Sequence, residues 1–156
     1  MKTLDMSKKL FERYESQHRI YHYYGLLALY ALAQTAYEAQ DEEMLNKCKQ
    51  MLAMYPHEIE HPRYNFENYE VGGNGKAWLV YKGLFDEERE NIRIYAEKTM
   101  KAPVDSNGIL CLPTQPEKGM IWIDVVTAVT PFMLYAGLAL KEEKYIDFAA
   151  EQCFKM

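Results

Sequence analysis

Gly119–Leu140, GMIWIDVVTAVTPFMLYAGLAL, is an almost wholly apolar run, long enough for one buried helix, with a single carboxylate near its start. Burying an ionised carboxylate unpaired costs several kcal/mol or more, so Asp124 has to be capped, paired, protonated or turned toward a cavity. A proton-exchanging group in a cleft is what a general acid requires, which makes Asp124 the first candidate for chemistry. The plainer alternative is an N-cap for a helix beginning at Val125. Pro131, seven residues on, either kinks the helix or restarts it. Asp124, Pro131 and the threonines of the run also speak against a lipid-spanning segment.

Working outward, LKEEKYIDFAAEQCFKM follows, with Tyr145, Phe148, Ala149 and Cys153 as its apolar stripe. Upstream, VDSNGILCLPTQPEK reads as a loop with a turn at Ser106-Asn107-Gly108 and a short extended stretch at Ile109–Leu112. Before it, DEERENIRIYAEKTMKA opens at Asp86 with acidic residues in its first turn and ends at Pro103; Ile92, Ile94, Tyr95 and Met100 are its expected core. Lys76–Lys82 is a short helix, with the glycines before it as a possible start, and His57–Gly75 has no period and reads as a loop. Asp41 begins an amphipathic helix stopped by Pro56, with Met44, Leu45, Cys48, Met51, Leu52 and Tyr55 on its buried stripe. From Ser7 to Gln40 the pattern is helical, a charged opening followed by a run that is apolar on nearly every side and is expected to touch neighbours all round.

One unit recurs: an apolar inner helix, an acidic turn and an amphipathic outer helix. The texts AYEAQDEEMLNKCKQM, YKGLFDEERENIRIYAEKT and YAGLALKEEKYIDFAAEQC resemble one another. Such repetition marks stacked αα-hairpins. The expected fold is therefore all-α, one domain over 1–156 with hairpins at about 7–56, 72–102 and 119–156.

Composition narrows the function classes. At 156 residues with 49% hydrophobic residues and few Gly or Pro, the chain can bury a real core and is not a disordered type. A formal charge of −5 without a basic stripe argues against nucleic acid. Cys48, Cys111 and Cys153 show no C-x-x-C spacing, so neither a disulfide framework nor a zinc site is indicated. His18 and His22 lie four apart, a spacing that can hold a metal, yet no H-E-x-x-H pattern accompanies them, and no metal is expected. No apolar signal segment is visible near the start, from which a cytoplasmic setting is expected, or a periplasmic one had a leader been removed.

IWIDVVTAVTPFMLYAG resembles the W-x-D-x-x-x-x-x-x-P-F segment of the unsaturated glucuronyl and rhamnogalacturonyl hydrolases, glycoside hydrolase families 88 and 105. HYYGLLALYALAQTAYEAQDEEMLNKCKQML and VGGNGKAWLVYKG resemble that family's first and second hairpins, so the similarity runs from about His18 to the C-terminus. It implies half of an (α/α)6 toroid. It also implies a reaction, hydration of the C4=C5 double bond of an unsaturated uronic acid in lyase-generated oligosaccharides, with Asp124 as general acid and base and no cofactor. A group that both gives and takes a proton needs a pKa near the working pH, and Ile121, Trp122, Ile123 and Val125 would provide an apolar surround. The family's second aspartate is missing here, and Glu67 or Asn68 stands in its region. Tyr24, within the cluster Tyr21–Tyr24, and Trp122 are candidate sugar-stacking residues, with core packing as the alternative for both.

Three hairpins are half of six. An open half-ring would leave inner helices facing water, so the expected partners, besides the unsaturated oligosaccharide, are a second copy in a homodimer or another chain that completes the barrel. The alternative function is a catalytically inactive relic acting as a helical-repeat interaction or self-association domain. No nucleic-acid or membrane partner is expected.

Overall fold

A computed structural model describes residues 3–17, 23–54, 73–111, 118–121 and 123–156, with the backbone alone at Tyr23, Asp124, Val125 and Val126. Over these residues the fold is all-α. Its helices are α1 (Thr3–Glu15), α2 (Tyr23–Glu38), α3 (Glu42–Ala53), α4 (Gly73–Tyr81), α5 (Arg89–Met100), α6 (Ile123–Leu140) and α7 (Glu143–Lys155), with a 3-10 turn at Asp86–Glu88. Helix α4 lies between α2 and α6; α3 packs on α2 and α4, α5 and α7 pack on α6, and α1 packs on α2. One apolar cluster joins Phe11 of α1 through Leu29, Leu52, Leu79, Ile92 and Phe132 to Ala149 of α7.

The expected helix from Ser7 to Gln40 is two helices, because the chain leaves α1 at Ser16. There the Ser16 hydroxyl donates to the Arg13 carbonyl (2.8 Å), a local bond that competes with helix continuation. Helix α2 is also less enclosed than its composition suggests. Leu26, Leu29, Leu32, Ala33 and Ala36 are buried, while Tyr24, Leu27 and Ala31 form an exposed stripe.

The repeat in the sequence has a repeat in the backbone. Helices α2, α4 and α6 each end with an amide donating to the carbonyl five residues back: Asp41 to Ala36 (2.9 Å), Leu84 to Leu79 (2.9 Å) and Glu142 to Gly137 (3.0 Å). The residue just before each donor is left-handed: Gln40 (φ 56°), Gly83 (φ 68°) and Lys141 (φ 58°). This is the Schellman termination, which satisfies the last carbonyls and turns the chain back. Asp41 then caps α3, its carboxylate accepting from the Met44 amide at 2.9 Å.

Helices α2, α4 and α6 run parallel. Gly75 of α4 lies against Tyr30, and Trp78 further along contacts both Tyr30 and Tyr37. At the far end, Tyr81 in the last turn of α4 stacks on Tyr135 toward the end of α6, and the Arg89 guanidinium, at the start of α5, donates to the Ala139 carbonyl in the last turn of α6. Pro131 does not stop α6. The helix runs through it, and Ala128, Val129, Phe132, Met133 and Ala136 are buried.

Two expected core residues face solvent. Ile94 is 53% exposed, because the buried stripe of α5 is Ile92, Ala96 and Thr99, and Ile94 falls nearly opposite it at 100° per residue. On α7, Cys153 is exposed and Gln152 is buried in its place. The Gln152 amide holds the turn after α5, accepting from the Leu110 amide (2.9 Å) and donating to the Gly108 carbonyl (2.9 Å). That turn is where the sequence places it. The Asp105 carboxylate accepts from the Asn107 and Ile109 amides, and Val104 pairs with Leu110 in an antiparallel bridge. Among the described residues no helix is long and apolar enough to cross a membrane.

Candidate functional site

Because α2, α4 and α6 are parallel, their N-termini lie at one end of the fold. The second residue of each is a side chain with chemistry: Tyr24 on α2, Asn74 on α4 and Asp124 on α6. Helix α6 opens at Ile123, so Asp124 stands within its first turn rather than capping a helix that begins at Val125. A helix N-terminus favours negative charge, through its unsatisfied amides and its macrodipole.

Tyr24 is 58% exposed and offers an accessible ring. Ile123, expected in an apolar surround for Asp124, is 65% exposed, so the start of α6 is not sealed on that side. Glu67, Asn68 and Trp122, and with them His18 and His22, lie outside the described residues. Among the described residues no group of three His, Cys, Asp or Glu side chains is placed to hold a metal ion.

Asn74 is the residue the sequence reading missed. It is 8% exposed, and its Oδ1 is buried without a hydrogen-bond partner. Leaving a buried acceptor unpaired costs about 1–3 kcal/mol, and such orphans in folded proteins call for a reason, a bound donor among them. The available signal was the GGNG sequence at a helix start, where a single amide-bearing side chain stands among glycines with no bulk to shield it.

Two other polar features belong to the framework. Lys76, on the same helix as Asn74, is fully buried; its ammonium donates to Glu88 at 3.0 Å and faces the Phe85 ring. Desolvation holds its pKa below the ordinary 10.5, against the pull of Glu88. Above α4, the Tyr30 and Tyr135 hydroxyls meet at 2.9 Å, joining α2 to α6, and Gln34 donates to Tyr30 at 3.0 Å. Trp78 and Tyr81 pack edge-on and stacked beneath this bridge. Burial and the neighbouring Tyr135 push the Tyr30 phenol upward, so it stays protonated.

A groove of about 950 Å³ lies elsewhere, between α1 and the C-terminal ends of α2 and α4. Its cations are already engaged: Lys8 pairs with Asp41, and the Lys82 ammonium lies over the rings of Tyr37, Trp78 and Tyr81. Trp78 is 4% exposed and presents no free ring face. The groove is at the end of the inner helices opposite Asp124.

The chain matches no family model, no curated protein and no solved structure.

Proposed function

We propose that this chain is a hydrolase acting on unsaturated uronic acids, with Asp124 as its acid and base. The observation that carries the reading is the buried, unpaired Asn74 Oδ1 in the first turn of α4, with Asp124 and Tyr24 each likewise the second residue of a helix parallel to it. The W-x-D and Pro-Phe spacing around Asp124, with its resemblance to families 88 and 105, supports it from the sequence side. In this reaction Asp124, as the acid, protonates C4 of the vinyl ether. As the carboxylate it then takes a proton from the water that adds at C5. The resulting hemiketal opens and the neighbouring sugar leaves, so each turnover consumes one water and returns Asp124 to its starting state. The unpaired Asn74 Oδ1 accepts from a sugar hydroxyl, and Tyr24 packs against a pyranose ring.

The test follows the ultraviolet absorbance of the vinyl-ether chromophore in lyase-generated disaccharides. The parent chain is expected to bleach it, and Asp124→Asn to slow the decay roughly 10²–10⁴-fold, the usual weight of positioned acid–base catalysis. A parent that leaves the chromophore intact, or an Asp124→Asn variant that is equally fast, sinks the assignment. A second reading, a helical association domain without turnover, is favoured by the aromatic contacts of Tyr30, Trp78, Tyr81 and Tyr135, which join α2, α4 and α6 to one another.

A further inference from the structure

Each edge of the helical stack ends in an open apolar groove. At one edge, α1 and α2 enclose about 320 Å³ around Leu10, Tyr14 and Ala31. At the other, α6 and α7 enclose about 290 Å³ around Pro131, Leu134, Ile146 and Cys153. Beside the first groove α1 exposes Met6 (48%) and Leu10 (64%); beside the second, α7 exposes Ala150 and Phe154, the latter at 90%.

The charges flanking these apolar side chains are of opposite sign. On α1, Lys9 and Arg13 stand at i and i+4 on the face that carries Met6 and Leu10, with Glu12 at its margin. On α7, Glu143 and Asp147 stand at i and i+4 on the face that carries Ala150 and Phe154. None of these four takes part in an ion pair among the described residues, whereas neighbours on α7 do: Lys144 with Glu97, and Lys155 with Glu151. Like charges at i and i+4 repel within one helix, by about 0.2–0.5 kcal/mol each. Two cations and two anions at the same spacing, each beside an apolar ridge and groove, are complementary surfaces on one chain. Such surfaces meet between copies, and a head-to-tail contact that closes makes a ring.

We propose that the α1–α2 edge of one copy docks on the α6–α7 edge of a second, and the reverse, giving a closed homodimer with two equivalent joints. The contact does not depend on the reaction assigned to Asp124, and its failure leaves that assignment standing.

Sedimentation of the parent across micromolar concentrations is expected to show a species of twice 18.3 kDa. Lys9→Glu with Arg13→Glu, and separately Glu143→Lys with Asp147→Lys, are each expected to weaken the dimer at least about tenfold, since both joints then carry like charges. All four side chains are exposed, so an unchanged helical spectrum establishes that each variant folds. Mixing the two variants makes both joints complementary again and is expected to restore a dimer containing one of each. Labelling of Cys153, which lines the α6–α7 groove, is expected to slow as the parent concentration rises. A parent that stays monomeric, a dimer indifferent to both charge reversals, or an open ladder of larger assemblies would overturn the proposal.

Discussion

Lys76, buried in the central helix, shows how one residue can set the terms for its surroundings. Its charge is held by Glu88, which also accepts from Asn91 at 2.9 Å. Removing one member of a buried ion pair costs more than replacing both, because the remaining buried charge keeps less compensation. Glu88→Ala is therefore expected to cost about 3 kcal/mol, and the double change Lys76→Met with Glu88→Gln much less, read from urea midpoints. The pH dependence has a definite sign. With the folded pKa of Lys76 below 10.5, the unfolded chain binds more protons in that range, so this group's contribution to stability rises as pH climbs toward 10.5. The stability difference between parent and Lys76→Met is expected to shift in the parent's favour on that climb. Asp41 follows the same sign at the acid end of the scale: the Lys8 ammonium, and then the Met44 amide, hold its carboxyl below the ordinary 3.8. Its contribution is present above 3.8 and fades as pH falls through the folded value, so any advantage of the parent over Asp41→Asn is expected to vanish in acid.

Among the elements, the α6–α7 pair is the most tightly specified. A Cβ at Gly137 would lie 2.5 Å from Ile146 Cγ1 and 3.0 Å from the Glu142 carbonyl oxygen, so the close approach of these helices needs a glycine there. Gly137→Ala is expected to cost about 1–3 kcal/mol, the usual penalty of overpacking. The turn after α5 depends on Gln152 in a comparable way. Gln152→Leu removes the acceptor of the buried Leu110 amide and is expected to cost about 1–3 kcal/mol, with faster amide exchange across 104–110 as the local sign. Periodicity located α3, α5 and α7 well, since each has one buried stripe. It misplaced Ile94 and Cys153 because a stripe drawn through every apolar residue is wider than the face a single neighbour covers.

For the whole molecule, burial sorts the three thiols. Cys48 and Cys111 are buried and Cys153 is exposed, and burial pushes the Cys48 thiol up to about 12. The folded chain is expected to give one fast-reacting thiol with a disulfide reagent, lost in Cys153→Ser, and the other two only on unfolding. The same packing explains why the candidate site was half legible. Asp124 stood out because a lone carboxylate in an apolar run is conspicuous in any context. Asn74 did not, because an asparagine among glycines reads as a turn until the packing of α4 between its neighbours shows the side chain enclosed and its oxygen unpaired.

By itself the sequence determined the helical class, the positions of most of the helices, and several of the turns that end them. These follow from period, capping residues and turn chemistry, which act within a few positions along the chain. Tertiary structure alone decided that α2, α4 and α6 run parallel, that Lys76 and Asn74 are enclosed, and that, among the described residues, α1 and α7 expose charges of opposite sign at the two edges. Those features depend on which helices become neighbours, and burial and pairing between distant segments have no local signature for a periodicity to carry.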